Sequence, residues 1–230
     1  MPTQISGQVG PQLIATGVGT QPIRQGNLGE TIVSELHGRF FEQNLRLALF
    51  SGGMGLTSIS NVTFTTGTLG ATCTPIAGVW NPLTSQVNLV ILQAMLGITV
   101  TALQATGAAP FAWAGSFSNA ALTLGGTPIN RRTLQAGPSA TKNMAGVALT
   151  GLTNNLVVFG ASSLGGGSYS NAAFLATAVG PQAQQVSFVE NLDGQYIVPP
   201  GGVLALLATT TPVAHSAASM LLWEEVPVIT

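Results

Sequence analysis

The stretch that most limits what this chain can fold into is Glu190–Thr211, ENLDGQYIVPPGGVLALLATTT. Two apolar runs, Tyr196–Val198 and Val203–Ala208, flank Pro199-Pro200-Gly201-Gly202. Proline cannot donate to a sheet ladder and glycine tolerates positive φ, so the four central residues read as the tight connection of a hairpin. The Val203–Ala208 run is short and apolar on both faces, which suits a strand buried between two sheets. A further strand is expected near Ser219–Val226, after a polar segment punctuated by Pro212. This alternation of short strands and turns predicts an all-β chain, an antiparallel β-sandwich.

Upstream of that stretch the pattern is also β. Gly52, Gly53 and Gly55 predict a turn before a Thr-rich strand over Thr57–Thr66. Asn81-Pro82 is a turn signal. Val87–Ala102 is the longest apolar run, with Val90, Leu92, Ala94, Leu96, Ile98 and Val100 on one predicted face and a bend placed at Gly97. Phe111–Phe117 alternates large and small residues, Gly125–Thr141 reads as a loop, and Leu156–Gly160 as a short strand. Residues 30–230 are therefore read as a single sandwich domain. Residues alone do not order its strands; by analogy a jelly roll is the preferred topology.

Glu30–Phe50 holds five of the thirteen charged residues. Glu35 and Arg39 are four apart, as are Glu42 and Arg46, with the acid first, the better order on a helix. Phe41, Leu45 and Leu49 would then share a face. A strand reading competes, and Gly38 weakens a helix. The spacing favours one helix near Ser34–Leu47. Residues 1–29 have no sustained period and contain six glycines and three prolines. Such a segment buries too little alone to offset its ordering entropy, so it reads as an extended arm that orders on a neighbour. Its anchors would be Ile5, Val9, Leu13, Ile14, Val18 and Ile23.

Composition sharpens the question of partners. Charged residues are 6% of the 230, against roughly 25% in a typical soluble domain. Mean hydropathy is +0.45. A chain so poor in charge must cover itself with neutral polar groups or bury its surface against partners, which favours a homo-oligomer, a trimer first. The net charge of −1 offers no electrostatic case for nucleic acid or an anionic membrane. Leu89–Leu103 is shorter than the about 20 apolar residues a span needs. The first residues lack the basic and apolar regions of a secretory signal, and the Asn61-Val62-Thr63 sequon is read as chance.

Chemistry is sparsely represented. Cys73 is the single cysteine and reads as a small buried apolar residue. A hydrolytic triad would draw on Asp193, on His37 or His215, and on a serine, but no nucleophile-elbow pattern accompanies them. Two isolated histidines make a poor metal site. Gly165-Gly166-Gly167-Ser168 lacks the lysine of a phosphate loop. Glu224 and Glu225, adjacent on a strand, point to opposite faces and cannot act as a carboxylate pair. No enzyme, cofactor or metal is therefore expected. Arg131 and Arg132, near Lys142, read as an exposed basic loop or a grip on an acidic partner. Trp80, Trp113 and Trp223 read as core or interface packing, with sugar stacking as the alternative. Met95, Met144 and Met220 read as gap fillers.

Three stretches, taken in order, carry a resemblance. They are Ser34-Glu35-Leu36-His37-Gly38-Arg39-Phe40-Phe41-Glu42; Trp80-Asn81-Pro82 followed by Val87–Leu92; and Val198–Gly202 together with Trp223-Glu224-Glu225-Val226-Pro227. The set, scattered over about residues 30–228, resembles structural proteins of tailed bacteriophages. The resemblance implies a virion component assembled in the host cytoplasm: a jelly-roll cement (decoration) protein, often trimeric, bound to the major capsid protein. A tail-associated or receptor- and carbohydrate-binding sandwich is the alternative. Leu83-Thr84-Ser85-Gln86 is more apolar than the small polar loop usual after Asn-Pro in that group. No catalytic residue is implied. The candidate subunit or capsid contacts are Ile5, Leu13, Ile14 and Ile23 on the arm, Glu35, Arg39, Glu42 and Arg46 on the expected helix, and Arg131 and Arg132.

Overall fold

The computed structural model describes residues 7–8, 23–24, 40–58, 68–69, 73–100, 107–108, 111–117, 122, 125–137, 139–149, 152–161, 168–169, 184–208 and 215–228. The chain forms two compact units, Met1–Phe41 and Glu42–Thr230. In the first, β1 (Gly7–Gln8) and β2 (Ile23–Arg24) pair in parallel, with Gly7 opposite Ile23.

A short helix, α1 (Phe41–Leu45), precedes β3 (Leu49–Ser58). There follow β4 (Thr68–Leu69), β5 (Ala77–Trp80), β6 (Val87–Val100), β7 (Gly107–Ala108) and β8 (Phe111–Phe117). The next are β9 (Ile129–Asn130), β10 (Lys142–Asn143), β11 (Leu156–Ala161) and β12 (Ser168–Tyr169). The last three are β13 (Gln184–Val198), β14 (Gly202–Ala208) and β15 (His215–Pro227). One sheet has the order β13-β6-β15-β3-β9, and the other β10-β5-β14-β8-β11-β4. Counting only the eight principal strands in chain order, the first sheet holds the sixth, third, eighth and first. The second holds the second, seventh, fourth and fifth. All these pairings are antiparallel. This is the two-sheet jelly roll.

The two sheets close on a core of Phe50, Ile76, Leu89, Ile91, Leu96, Phe111, Trp113, Leu204, Leu206, Leu221 and Trp223. A second apolar layer lies on the other face of the β5-β14-β8 sheet, where Val203, Ala205 and Leu207 meet Leu122, Met144, Leu149 and Leu152 from the segment between β8 and β11. β14 is thus buried along its whole length. Its double-sided apolarity reflects one sheet on one side and this long connection on the other.

Several expectations are corrected. Pro199–Gly202 does form a tight link, with Gly201 at φ +83° and Gly202 N–H donating to Pro199 O at 2.8 Å. It does not join a hairpin: β13 pairs with β6, and β14 with β5 and β8, so the link carries the chain from one sheet to the other. Asn81 clamps it. Its buried side-chain amide donates to Val87 O at 2.7 Å and to Val198 O at 2.9 Å, and its backbone carbonyl accepts from Gly201 N–H at 2.7 Å.

In β6 the expected apolar face holds only in part. Leu92 is a bulge residue, since Leu222 pairs with Gln93 and Trp223 with Ile91. The bulge shifts the phase, so Leu89 and Ile91 enter the core with Ala94 and Leu96, and Val90 turns outward. The side chains of Ile98 and Val100 lie outside the described residues, and the bend expected at Gly97 is displaced to Leu92.

Among the described residues the helix covers Phe41–Leu45, after Phe40 at φ +73°; residues 34–39 of the expected span lie outside the described residues. It ends in a Schellman turn: Leu47 adopts φ +62°, its N–H reaches Asn44 O, and Ala48 N–H reaches Gln43 O. Leu49 is therefore a strand residue, buried in β3, and Phe41 and Leu45 stay exposed.

Gly52, Gly53 and Gly55 do not turn the chain but lie within β3. At Gly52 and Gly53 side chains are excluded by neighbours. A Cβ on Gly53 would fall 1.9 Å from Ser219 O, beside the bulge that β3 makes at Gly55 and Leu56, and one on Gly52 would fall 2.8 Å from Asn143 Cβ. A Cβ on Gly55 would meet nothing within 4 Å. Gly53→Ala is accordingly expected to lower unfolding free energy by more than about 3 kcal/mol, and Gly55→Ala to change it by less than about 0.5 kcal/mol. Chemical denaturation of the two variants beside the parent checks this pair.

Candidate functional site

A cleft of about 320 Å³ opens at one end of the sandwich, between β8 and β11 on one sheet and β13 with the β13–β14 link on the other. Its shape follows from β8. Period-two alternation puts Phe111, Trp113, Gly115 and Phe117 on the face toward the opposite sheet. Phe111 and Trp113 are buried, and Gly115 leaves a gap. The Phe159 ring occupies that gap; a Cβ on Gly115 would fall 2.8 Å from it. Phe159 can reach over Gly115 because it is a bulge residue of β11, unpaired between Val158 opposite Ala114 and Gly160 opposite Trp113.

Tyr196 completes an aromatic cluster. Its ring meets Phe159 edge-on at 5.1 Å and Trp113 at 5.6 Å. Offset and edge-to-face pairs of this kind add about 0.5–1.5 kcal/mol beyond their buried area. Glu190 stands behind the cluster and accepts from Trp113 Nε1–H at 3.2 Å. Burial, and then the Glu190 charge, push the Tyr196 phenol above its ordinary range, so it stays a neutral O–H donor at neutral pH. The rim is pinned by Ser116 Oγ–H donating to Asn154 O at 2.9 Å and by Asn154 Nδ2–H donating to Phe117 O at 2.7 Å. Gln195 and Ile197 form the opposite lip. Apart from the Tyr196 phenol, no ionisable side chain lines the cleft. The arrangement suits binding an uncharged group; it brings together no nucleophile, base and orienting acid.

The residues singled out from sequence lie elsewhere. Arg131 and Arg132 are exposed in the turn after β9, and Arg132 Nη1–H donates to Leu45 O at 2.6 Å, tying that turn to the helix end. Arg46 is exposed at the helix C-terminus, where its charge acts on Glu224. Glu42 lies in α1 and Ile23 in β2, but their side chains, like residues Ile5, Leu13, Ile14, Glu35 and Arg39 entirely, are outside the described residues. The helix ends at Leu45, one residue before Arg46, and the expected i, i+4 pairing of Glu42 with Arg46 lies outside the described residues.

Asp193 sits at a β13 irregularity beside the rung Asn191–Gln93, whereas His215 pairs with Val100. At about 3.3 Å per rung they stand on the order of 25 Å apart. His37 lies outside the described residues. Among the described residues, no group of three His, Cys, Asp or Glu is placed to hold a metal, and no helix is long and apolar enough to cross a membrane. Trp80, Trp113 and Trp223 are all buried, as is Cys73, whose thiol burial pushes to about 11. Met144 fills the second layer, while Met95 and Met220 are only half-buried.

Phe117, Phe159 and Tyr196 were not expected as a site. They come from three strands of undetermined order, and only the alternation in β8, which carries Phe117 past the last core position, could have hinted at one of them.

A second cluster is electrostatic. Glu225 is bonded to the Ser139 hydroxyl and, at 3.3 Å, to Thr141 Oγ1, fastening the segment before β10 to β15. Burial raises the Glu225 carboxyl above its ordinary value, with the two hydroxyls partly opposing the shift. Burial raises neighbouring Glu224 too, with Arg46 opposing. A carboxyl with a raised folded-state pKa contributes stability that is complete below the ordinary value of 4.5 and is lost as pH rises through the folded value. The midpoint of thermal unfolding for Glu225→Gln, relative to the parent, is therefore expected to rise as pH increases from 4 to 8. A difference independent of pH would contradict this reading.

Comparison with protein-family models and with curated proteins finds no match to this chain.

Proposed function

We propose that this protein is a structural virion component of the cement (decoration) type. In this reading it self-associates, as a trimer, and binds the major capsid protein at the capsid surface, with assembly in the host cytoplasm. The observation that carries the reading is the outward face of the β13-β6-β15-β3 sheet. An outward antiparallel face that meets water is ordinarily polar. Here the strand register sets Val189 beside Met95 and Met220, and Ile197 beside Val90, on that face. Val189 and Ile197 are each 58% exposed. The polar rung Asn191–Gln93, bonded at 2.8 Å, is neutral, and Glu224 is the one charge on these rungs.

Low charge and an apolar sheet face together suit a surface that is covered by protein. Obligate interfaces are apolar in this way, whereas isolated exposed apolar residues need no explanation. The jelly roll itself is shared by viral shell proteins and lectins, so the fold supports the reading without deciding it.

Two outcomes are expected. Light scattering during size exclusion at micromolar concentration should give a multiple of 23.3 kDa, and Val189→Asp with Ile197→Asp should shift it toward the monomer; a parent that runs as a monomer contradicts self-association. Deleting residues 1–25 should leave the β circular-dichroism spectrum and most thermal stability intact while weakening co-sedimentation with stripped capsids. Equal sedimentation of truncated and full-length protein would remove the arm from the attachment.

A further inference from the structure

We propose that the cleft between β8, β11 and β13 binds a neutral pyranose ring, a saccharide site that goes beyond the shell role and does not depend on it. Three features of the cleft select this chemistry. The first is exposed aromatic surface: Phe159 is 50% and Phe117 43% exposed, and both line the cleft. Neither is needed to fill the core, which Phe111 and Trp113 already occupy from the same strand face. An aromatic face left open to water favours a ligand with an apolar face of similar size, such as the C–H side of a sugar ring.

The second feature is the absence of charge. The lining holds no carboxylate, ammonium or guanidinium group, and Tyr196 remains a neutral phenol. An anionic or cationic ligand would lose its hydration with nothing to offset it. The third is the polar complement. Gln195 lies on the lip, and its amide is a group that can both donate and accept. Tyr196 offers an O–H. Paired donors and acceptors around an apolar face match a ring bearing several hydroxyls.

The volume, about 320 Å³, lies at the low end of the range for ligand sites and fits one ring more readily than a long chain. The walls are also fixed in place. Phe159 is held by its bulge and by Tyr196, and Tyr196 by Trp113, whose indole is bonded to Glu190. A site already formed loses less ordering entropy on binding.

Saturation-transfer NMR tests this on the full-length protein with the methyl glycosides of glucose, galactose and mannose and with N-acetylglucosamine, each at millimolar concentration. At least one sugar is expected to receive saturation, more strongly at the C–H protons of one ring face. Phe159→Ala and, separately, Gln195→Ala should each weaken that binding at least about tenfold. Gln195 is exposed, so its variant should unfold at the parental temperature even if Phe159→Ala is destabilised. Absence of transfer to all four sugars would overturn the proposal, as would undiminished binding in the Gln195 variant, or binding of a capped neutral peptide where no sugar binds. Capsid co-sedimentation of the Gln195 variant should match the parent, which separates failure of the saccharide site from failure of the shell role.

Discussion

The structure depends on burying β14 from both sides. Val203, Leu204, Leu206 and Leu207 are all buried, and each such side chain contributes roughly 1.5–3 kcal/mol on leaving water. No exposed ion pair approaches this, at about 0–1 kcal/mol. The inward half of β14 requires the opposite sheet. The outward half requires a cover, which Leu122, Met144, Leu149 and Leu152 supply. The long connection between β8 and β11 is therefore part of the fold's apolar interior. It is anchored by backbone pairing at its buried points, Leu149 N–H to Cys73 O at 2.7 Å and Met144 N–H to Gly78 O at 2.9 Å. With those carbonyls and amides paired, the segment can be buried without leaving polar groups unsatisfied.

The two open sides of the sandwich are closed by different chemistry. On the side where β3 meets β5, a polar side chain is the plug. Asn143 lies over Gly52, its Nδ2–H donates to Gly53 O at 2.8 Å, and its Oδ1 accepts from Ala145 N–H at 3.2 Å. Every strong requirement at that seam is for a small residue on one strand and an amide on the other. On the side where β13 faces β11, closure is aromatic, and it is incomplete. Trp113 fills the gap fully, Tyr196 partly, and Phe159 only at its edge. Rings stacked from the core outward leave a cleft where an amide clasp would have left none, which is why the candidate site lies at this end.

Much of this architecture was legible in the sequence, and the failures share a cause. The strands over Val87–Val100, Phe111–Phe117, Leu156–Ala161 and Gly202–Ala208 follow from composition and turn signals. What period-two reasoning missed were bulges. Leu92 reverses the faces of β6, Phe159 is re-aimed across Gly115, and β3 bulges at Gly55 and Leu56, next to the close approach of Ser219 O to Gly53. A bulge is set by the register of two partner strands, which a single chain segment does not encode locally. The same limit applied to Pro199–Gly202. Its tightness was readable from Pro and Gly, but whether it joined paired strands or crossed between sheets depended on β5 and β8, far away in sequence. The candidate cleft inherits both problems, since Phe117, Phe159 and Tyr196 come from three strands and one stands on a bulge.

The few charges show how such a neutral chain uses electrostatics. Glu190 holds the indole of Trp113, Glu225 holds the hydroxyls of Ser139 and Thr141, Glu224 faces Arg46, and Arg132 caps the carbonyl of Leu45. Each fixes a turn, a link or a ring that apolar packing alone would leave free to move. A charge engaged in this way is partly withdrawn from water and does less to keep surfaces apart; burial raises Glu224 and Glu225 for that reason. Solubility then rests on neutral polar side chains, and these do not cover the rungs of Val189, Met95 and Met220. Charge spent inside the structure and apolar surface left outside it are two sides of one composition. Together they are what supports the proposal that this face is covered by a partner.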